Sequence, residues 1–170
     1  CVNNTLVTGN NAGSDLSGHG FILDAPFPEW ARDFSGANLT GVRSGDIIGT
    51  PAALPTHWIL AKGYLVGPGA ELSSADLSGA VLASADLSAA NLTSVDFTGA
   101  KLASANLENA ILVEVNLTGA DLENANLTGA NLTDATLTNL NLSGADLSGA
   151  DLDGVVSGNI IGTPLELPDG

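Results

Sequence analysis

The chain has 170 residues, 19 acidic and 4 basic, for a formal net charge of −15; 44% of residues are apolar but only 4% are aromatic, and Met is absent. Four cations cannot make the basic footprint that phosphate contacts require, so direct nucleic-acid binding is excluded and anionic membrane surfaces are disfavoured. The apolar content argues against intrinsic disorder, and no apolar run approaches the ~18 residues of a membrane-spanning helix.

Residues 1–69 read as an N-terminal coil and cap region with loop excursions. Cys1 is the only cysteine, so no internal disulfide forms. It reads either as a fragment boundary or as the acylated N-terminus of a processed lipoprotein, which makes it a candidate lipidation site. This region holds six of the seven aromatics (Phe21, Phe27, Trp30, Phe34, Trp58, Tyr64) and three of the four cations. Leu16 and Phe21 are five apart, as are Phe34 and Leu39; Ala25 to Trp30, with two prolines, reads as a loop between these pairs. Trp30, Trp58 and Tyr64 are expected to cover a solenoid end or pack loops against it, the alternative being an aromatic recognition site on the excursions. A 28-residue spacer, 42–69, follows the first block.

Residues 70–154 are one uninterrupted five-residue repeat of 17 units. The third position of each is Leu72, Leu77, Leu82, Leu87, Leu92, Phe97, Leu102, Leu107, Leu112, Leu117, Leu122, Leu127, Leu132, Leu137, Leu142, Leu147 and Leu152. Ala stands two positions earlier in 14 units, with Val95, Val115 and Leu140 as exceptions. Asp or Asn usually lies between the two, and small polar residues follow. A period of five suits neither regular element. It advances an α-helix by about 500°, so Leu wanders round the axis, and in a strand it flips Leu between faces. A chain that bends once per unit keeps Leu and the small residue inside. Such units must stack to pair their backbone groups, which makes an all-β solenoid. All seven prolines, which would break the ladder, lie outside this block.

Ala75-Asp76-Leu77-Ser78-Gly79 and Ala130-Asn131-Leu132-Thr133-Asp134 typify the repeat. The pattern A-D/N-L-x-x resembles the pentapeptide-repeat family. The resemblance implies a right-handed, quadrilateral β-helix with four units per coil, a Leu stack along the axis and Ala packed inside. Seventeen units would make 4.25 coils, a stack roughly 20 Å tall.

Four units per coil would place residues twenty apart above one another. Asp76, Asp96, Asn116 and Thr136 then share one wall, beside Ser78, Thr98, Thr118 and Thr138. Val95 and Val115 fall inside that wall next to Phe97, concentrating bulk at one corner. Asp86, Asn106, Asn126 and Asp146 line another wall, where Asn between Asp residues lets a ladder hydrogen-bond without like charges on every rung. The block carries −11 of the −15. Asp76, Asp86, Asp96 and Asp146 are the candidate interaction residues of these walls.

Residues 155–170 read as the start of a second spacer or a C-terminal cap. Gly41 to Pro51 (GVRSGDIIGTP) recurs as Gly154 to Pro164 (GVVSGNIIGTP), offset by 113 residues. Either a longer array has been cut or the spacer is reused as a cap.

Enzymatic motifs are missing, so no catalytic residue is assigned. Gly45 to Thr50 lacks the Gly-Lys-Ser/Thr of a phosphate loop. His19 and His57 have no metal-ligand spacing, and the Asp-x-x-Gly pieces lack the alternating pattern of a Ca²⁺ loop, so no metal or cofactor is expected. Six Asn-Leu-Ser/Thr acceptor sequences arise automatically from the repeat. The Ser and Thr file is a weak basis for ice binding, since Thr-x-Thr occurs once, at Thr136 to Thr138.

The expected function is that of a non-enzymatic structural or interaction module, part of a bacterial secreted or cell-envelope repeat protein that stacks end to end. Its protein partner is unnamed. The alternative is an acidic DNA mimic, since some family members bind DNA gyrase; the long spacers and absence of a C-terminal helix weigh against it.

Overall fold

A computed structural model describes residues 33–168. Cys1, His19, Trp30, the Leu16 and Phe21 pair and the Ala25 to Trp30 loop lie outside them.

The described chain is a β-solenoid whose step is set by one turn repeated in every unit. In residues 72–75 the N–H of Ala75 donates to the Leu72 carbonyl at 2.9 Å. Ser74, at the third position of that turn, has φ +63°. A left-handed residue there is the requirement of a type II turn. The fifth residue of every unit from 70 to 154 has positive φ, with Gly in seven units and a non-glycine in ten, among them Ala89 and Glu114. The Gly, Asn and Ser content of the repeat is therefore positional: it serves a backbone conformation that β-carbons disfavour.

Between turns, each unit contributes one or two residues of extended chain. The Leu77 N–H donates to the Asp96 carbonyl at 2.9 Å, and the Asp96 N–H donates to the Ala75 carbonyl at 3.0 Å. This parallel pairing at an offset of twenty runs from Glu71 with Asn91 to Asp146 with Glu166. Four pentapeptides thus separate stacked residues, as expected. The first and third residues of each unit face inward. The whole file from Leu72 to Leu147 is buried, and Leu152 at its end is half-buried. Phe97, Val95 and Val115 are fully buried, so the bulky corner forms as the stacking map requires.

Two segments depart from plain repeats. An antiparallel hairpin pairs β1 (Ile59–Ala61) with β2 (Tyr64–Val66). Its connecting residues Lys62 and Gly63 have φ +48° and +82°, the double positive φ of a type I′ turn. Arg43 pairs with Glu71 across 28 residues rather than twenty, and the eight extra residues equal the length of Ile59 to Val66. The spacer is therefore a coil with a hairpin inserted. At the other end β3 (Thr136–Thr138) pairs in parallel with β4 (Val156–Gly158), again at an offset of twenty. The pairing continues through Asn141 with Ile161 and Asp146 with Glu166. Residues expected as a separate spacer or cap continue the same winding.

The spacer sequence is thus a disguised run of pentapeptides. Leu39, Ser44, Gly49 and Leu54 occupy successive central positions; Leu152, Ser157, Gly162 and Leu167 do so in the second copy. Ser and Gly interrupt the Leu file.

Candidate interaction surfaces

The polar walls are built by local hydrogen bonds. An Asp or Asn at the second position accepts from the backbone N–H and hydroxyl of the Ser or Thr two residues on, forming an Asx turn. Asp96 Oδ1 accepts from Thr98 N at 2.8 Å and Oγ1 at 2.5 Å. Asp146 Oδ1 does so from Ser148 at 2.9 and 2.5 Å, and Asp86 Oδ1 from Ser88 at 3.1 and 2.7 Å. Across coils, Asn106 Nδ2 donates to Asp86 Oδ1 and Asn126 Nδ2 to Asn106 Oδ1, each at 3.2 Å. The expected Asn and Asp ladder is present. Donation by the Ser148 hydroxyl, then by its backbone N–H, holds the Asp146 carboxyl below its ordinary pKa.

Asp76 has an added partner. Its Oδ1 accepts from the Ser78 hydroxyl at 2.6 Å, the Lys62 Nζ at 2.9 Å and the Ser78 N–H at 2.9 Å. These bonds, the Ser78 hydroxyl foremost, hold its carboxyl well below the usual carboxylate range. Lys62 sits at the hairpin tip, so this contact ties the hairpin to the repeat wall. Among the described residues it is the one ion pair.

The hairpin packs against the coil of Ser44 and Ile47. Trp58, Leu65 and Val66 are buried there. The Leu65 N–H donates to Ser44 Oγ at 2.7 Å, and the Ile47 N–H to the Gly63 carbonyl at 3.1 Å. A Cβ on Gly45 would stand 3.3 Å from the Tyr64 ring, and one on Gly67 would overlap the Trp58 indole. Trp58 therefore serves packing, and Tyr64, half-buried, lies against the same coil. Trp58 offers no open aromatic face for a ligand.

Val156, Ile160, Ile161, Leu165 and Leu167 are all exposed, five of the nine exposed large apolar side chains described. A groove of about 440 Å³ runs between Leu152 and Leu167–Pro168. No signal in the Leu pattern marks this surface; the duplicated GVxSGxIIGTP segment does.

Among the described residues no group of three His, Cys, Asp or Glu side chains could hold a metal ion, and no helix is long and apolar enough to cross a membrane. The pentapeptide-repeat family model matches eight copies of the repeat, over residues 70–109, 90–129, 100–139 and 116–154. The chain belongs to the pentapeptide-repeat family. Among solved structures this pentapeptide-repeat chain is similar to Rfr23 of the cyanobacterium Cyanothece 51142, at 41% identity and TM-score 0.54, over 55% of this chain and 64% of that one. It is also similar to a pentapeptide-repeat protein of the Arabidopsis thaliana thylakoid lumen, at 36% identity and TM-score 0.48, over 50% of this chain and 59% of that one. QnrB1, a plasmid-mediated fluoroquinolone resistance protein, is 18% identical with TM-score 0.35, over 78% of this chain and 56% of that one. The chain thus spans less than two thirds of the length of these structures. No curated protein matches it.

Proposed function

We propose that this chain is a non-enzymatic interaction module, a right-handed quadrilateral β-helix whose 17-unit block winds 4.25 coils and which stacks end to end with further protein. The observation that carries this reading is the uninterrupted stack: a dry Leu and Ala interior with no polar handle, inside walls whose Asp and Asn oxygens are taken by local hydrogen bonds. Coils of one repeat present the same rung to the next, so such a module extends by stacking. End-to-end association suits a bacterial secreted or cell-envelope array. The cyanobacterial neighbour supports a bacterial source.

The Asp and Asn walls act as a solubilising coat. The alternative, mimicry of a phosphate row towards a protein such as gyrase, needs charge on successive rungs. Among the described ladders carboxylates stand on successive rungs only at Asp76 with Asp96 and at Asp146 with Glu166, while neutral Asn106 and Asn126 separate Asp86 from Asp146.

Light scattering over a range of protein concentrations tests the end-docking reading. The native chain should associate with rising concentration, and Ile161→Asp with Leu165→Asp should remain monomeric. A native chain that stays monomeric throughout removes the self-association.

A further inference from the structure

We infer that the wall of Arg43, Glu71, Asn91, Ile111, Asn131 and Asp151 is a lateral docking surface for a second copy of this chain, lying antiparallel against it. This contact is separate from end docking.

The six residues form one continuous parallel ladder, each paired with the next. They hold second positions, which face away from the Leu file. A cation stands at one end of the ladder; Asp151, with Asp153 beside it, stands at the other. Ile111 is 43% exposed in the middle, next to half-buried Val113. Asn91 and Asn131 flank Ile111 on the neighbouring coils, so its exposure is lateral and owes nothing to either end of the chain. Arg43 forms no ion pair among the described residues, although Glu71 is its ladder neighbour. Asn91 Nδ2 donates to Glu71 Oε2 at 2.9 Å, but Asn131 Nδ2 has no acceptor among the described residues, because Ile111 occupies the corresponding rung.

These groups complement themselves on reversal. A two-fold axis in the plane of contact, crossing the rod between the Asn91 and Ile111 rungs, inverts the order of the ladder. Arg43 then meets Asp151 of the second copy, and Glu71 meets Asn131. Ile111 and Val113 of the two copies fall on adjacent rungs at the centre. Each contact occurs twice, as an isologous interface requires, with an apolar centre and a charged rim. A parallel arrangement would instead oppose like charges at both ends. The other walls lack this match. Reversing the Asp86 ladder opposes Asp86 to Asp146, and Lys62 is already held by Asp76 on its wall. The remaining wall sets Lys101 directly beside Asp121, with no apolar rung between them.

The ladder is about 24 Å tall on one side of a narrow rod, short of the roughly 1,200 Å² of a stable interface, so pairing belongs to about millimolar concentration. Each copy carries −15, so the contact is sought at about 0.15 M salt, where the Debye length is about 8 Å.

Intermolecular paramagnetic broadening in the full chain tests this. A nitroxide is attached at Thr40→Cys, an exposed position near Arg43, in a Cys1→Ser background, and this chain is mixed with unlabelled ¹⁵N chain. Both carry Ile161→Asp and Leu165→Asp, which removes end docking from the readout. Broadening should centre on the amides of Asn131, Asp151 and Asp153 in the ¹⁵N copy. Arg43→Asp in both copies, or Asp151→Arg in both, should weaken association about tenfold or more. Labelled Arg43→Asp chain mixed with ¹⁵N Asp151→Arg chain should regain it, because both end contacts are then again of opposite charge; a variant that had merely misfolded would not. No broadening, broadening centred on Glu71 or on the Lys101 wall, or indifference to the charge changes overturns the proposal. Any of these leaves end docking, read by light scattering, untouched.

Discussion

Leu112→Ala should destabilise the chain far more than Leu152→Ala, although both residues occupy the same repeat position. Leu112 is fully buried in the middle of the stack. Its coil is pinned on both sides: Leu112 N–H donates to the Asn131 carbonyl at 2.7 Å, and Leu92 N–H to the Ile111 carbonyl at 2.7 Å. Backbone bonds fix the spacing of adjacent coils, so the walls cannot move in to fill the space a truncated side chain leaves. The loss is the transfer free energy of the removed carbons, about 2 kcal/mol, plus a nearly full cavity cost, and totals about 4 kcal/mol. Leu152 is already half-exposed with an open groove beside it, so its truncation should cost about 1 kcal/mol. Urea denaturation of the two variants reads this as a difference in midpoint at constant slope. Equal shifts, or a Leu112→Ala cost below about 1 kcal/mol, would refute the rigid-stack reasoning.

Ala89→Gly should stabilise the chain by about 0.5–1 kcal/mol, because Ala89 holds φ +53° where glycine is at ease; a destabilised variant by thermal melting would contradict the turn assignment. Asn106→Asp should cost about 1 kcal/mol at pH 7, since it removes the donor to Asp86 and sets carboxylates on neighbouring rungs; a neutral substitution at pH 7 counts against the ladder. The Asp146 carboxyl is held low by Ser148, so its contribution is complete above the ordinary carboxylate pKa of about 4 and is lost as pH falls through its lowered native value. Ser148→Ala should therefore trail the native chain in urea midpoint at pH 6 and converge with it in strong acid; a gap that widens on acidification would reverse the sign. Excess protein should leave gyrase supercoiling unchanged, and inhibition would revive the DNA-mimic reading.

Much of this architecture is legible in the sequence because the period of five is itself a geometric statement. It fixes which residues face inward, and the offset of twenty then brings Asn106 onto Asp86 and Val115 beside Phe97. The hairpin was hidden because Lys62-Gly63 is a weak type I′ signal beside Asn-Gly, and its pairing depends on the surface beneath it. The winding of residues 42–69 and 155–168 is harder to read, because Ser44, Gly49, Ser157 and Gly162 interrupt the Leu file. The compensation lies elsewhere in the chain, in Trp58, Leu65 and Val66. Val42 with Ile47, and Val155 with Ile160, keep the five-residue step and are the signal a search keyed on Leu passes over. The fifth-position φ was visible only as a preference for Gly, Asn and Ser, because Ala89 and Glu114 adopt the same conformation.

Amide exchange at Ile47 and Ile160 tests the account most directly, since the two residues share sequence and backbone and differ in what covers them. In dilute, monomeric chain the Ile47 N–H, bonded to the Gly63 carbonyl at 3.1 Å, should be strongly protected. The Ile160 N–H, for which no described residue supplies an acceptor, should exchange faster in the same sample. Equal protection of both would contradict the role given to the hairpin.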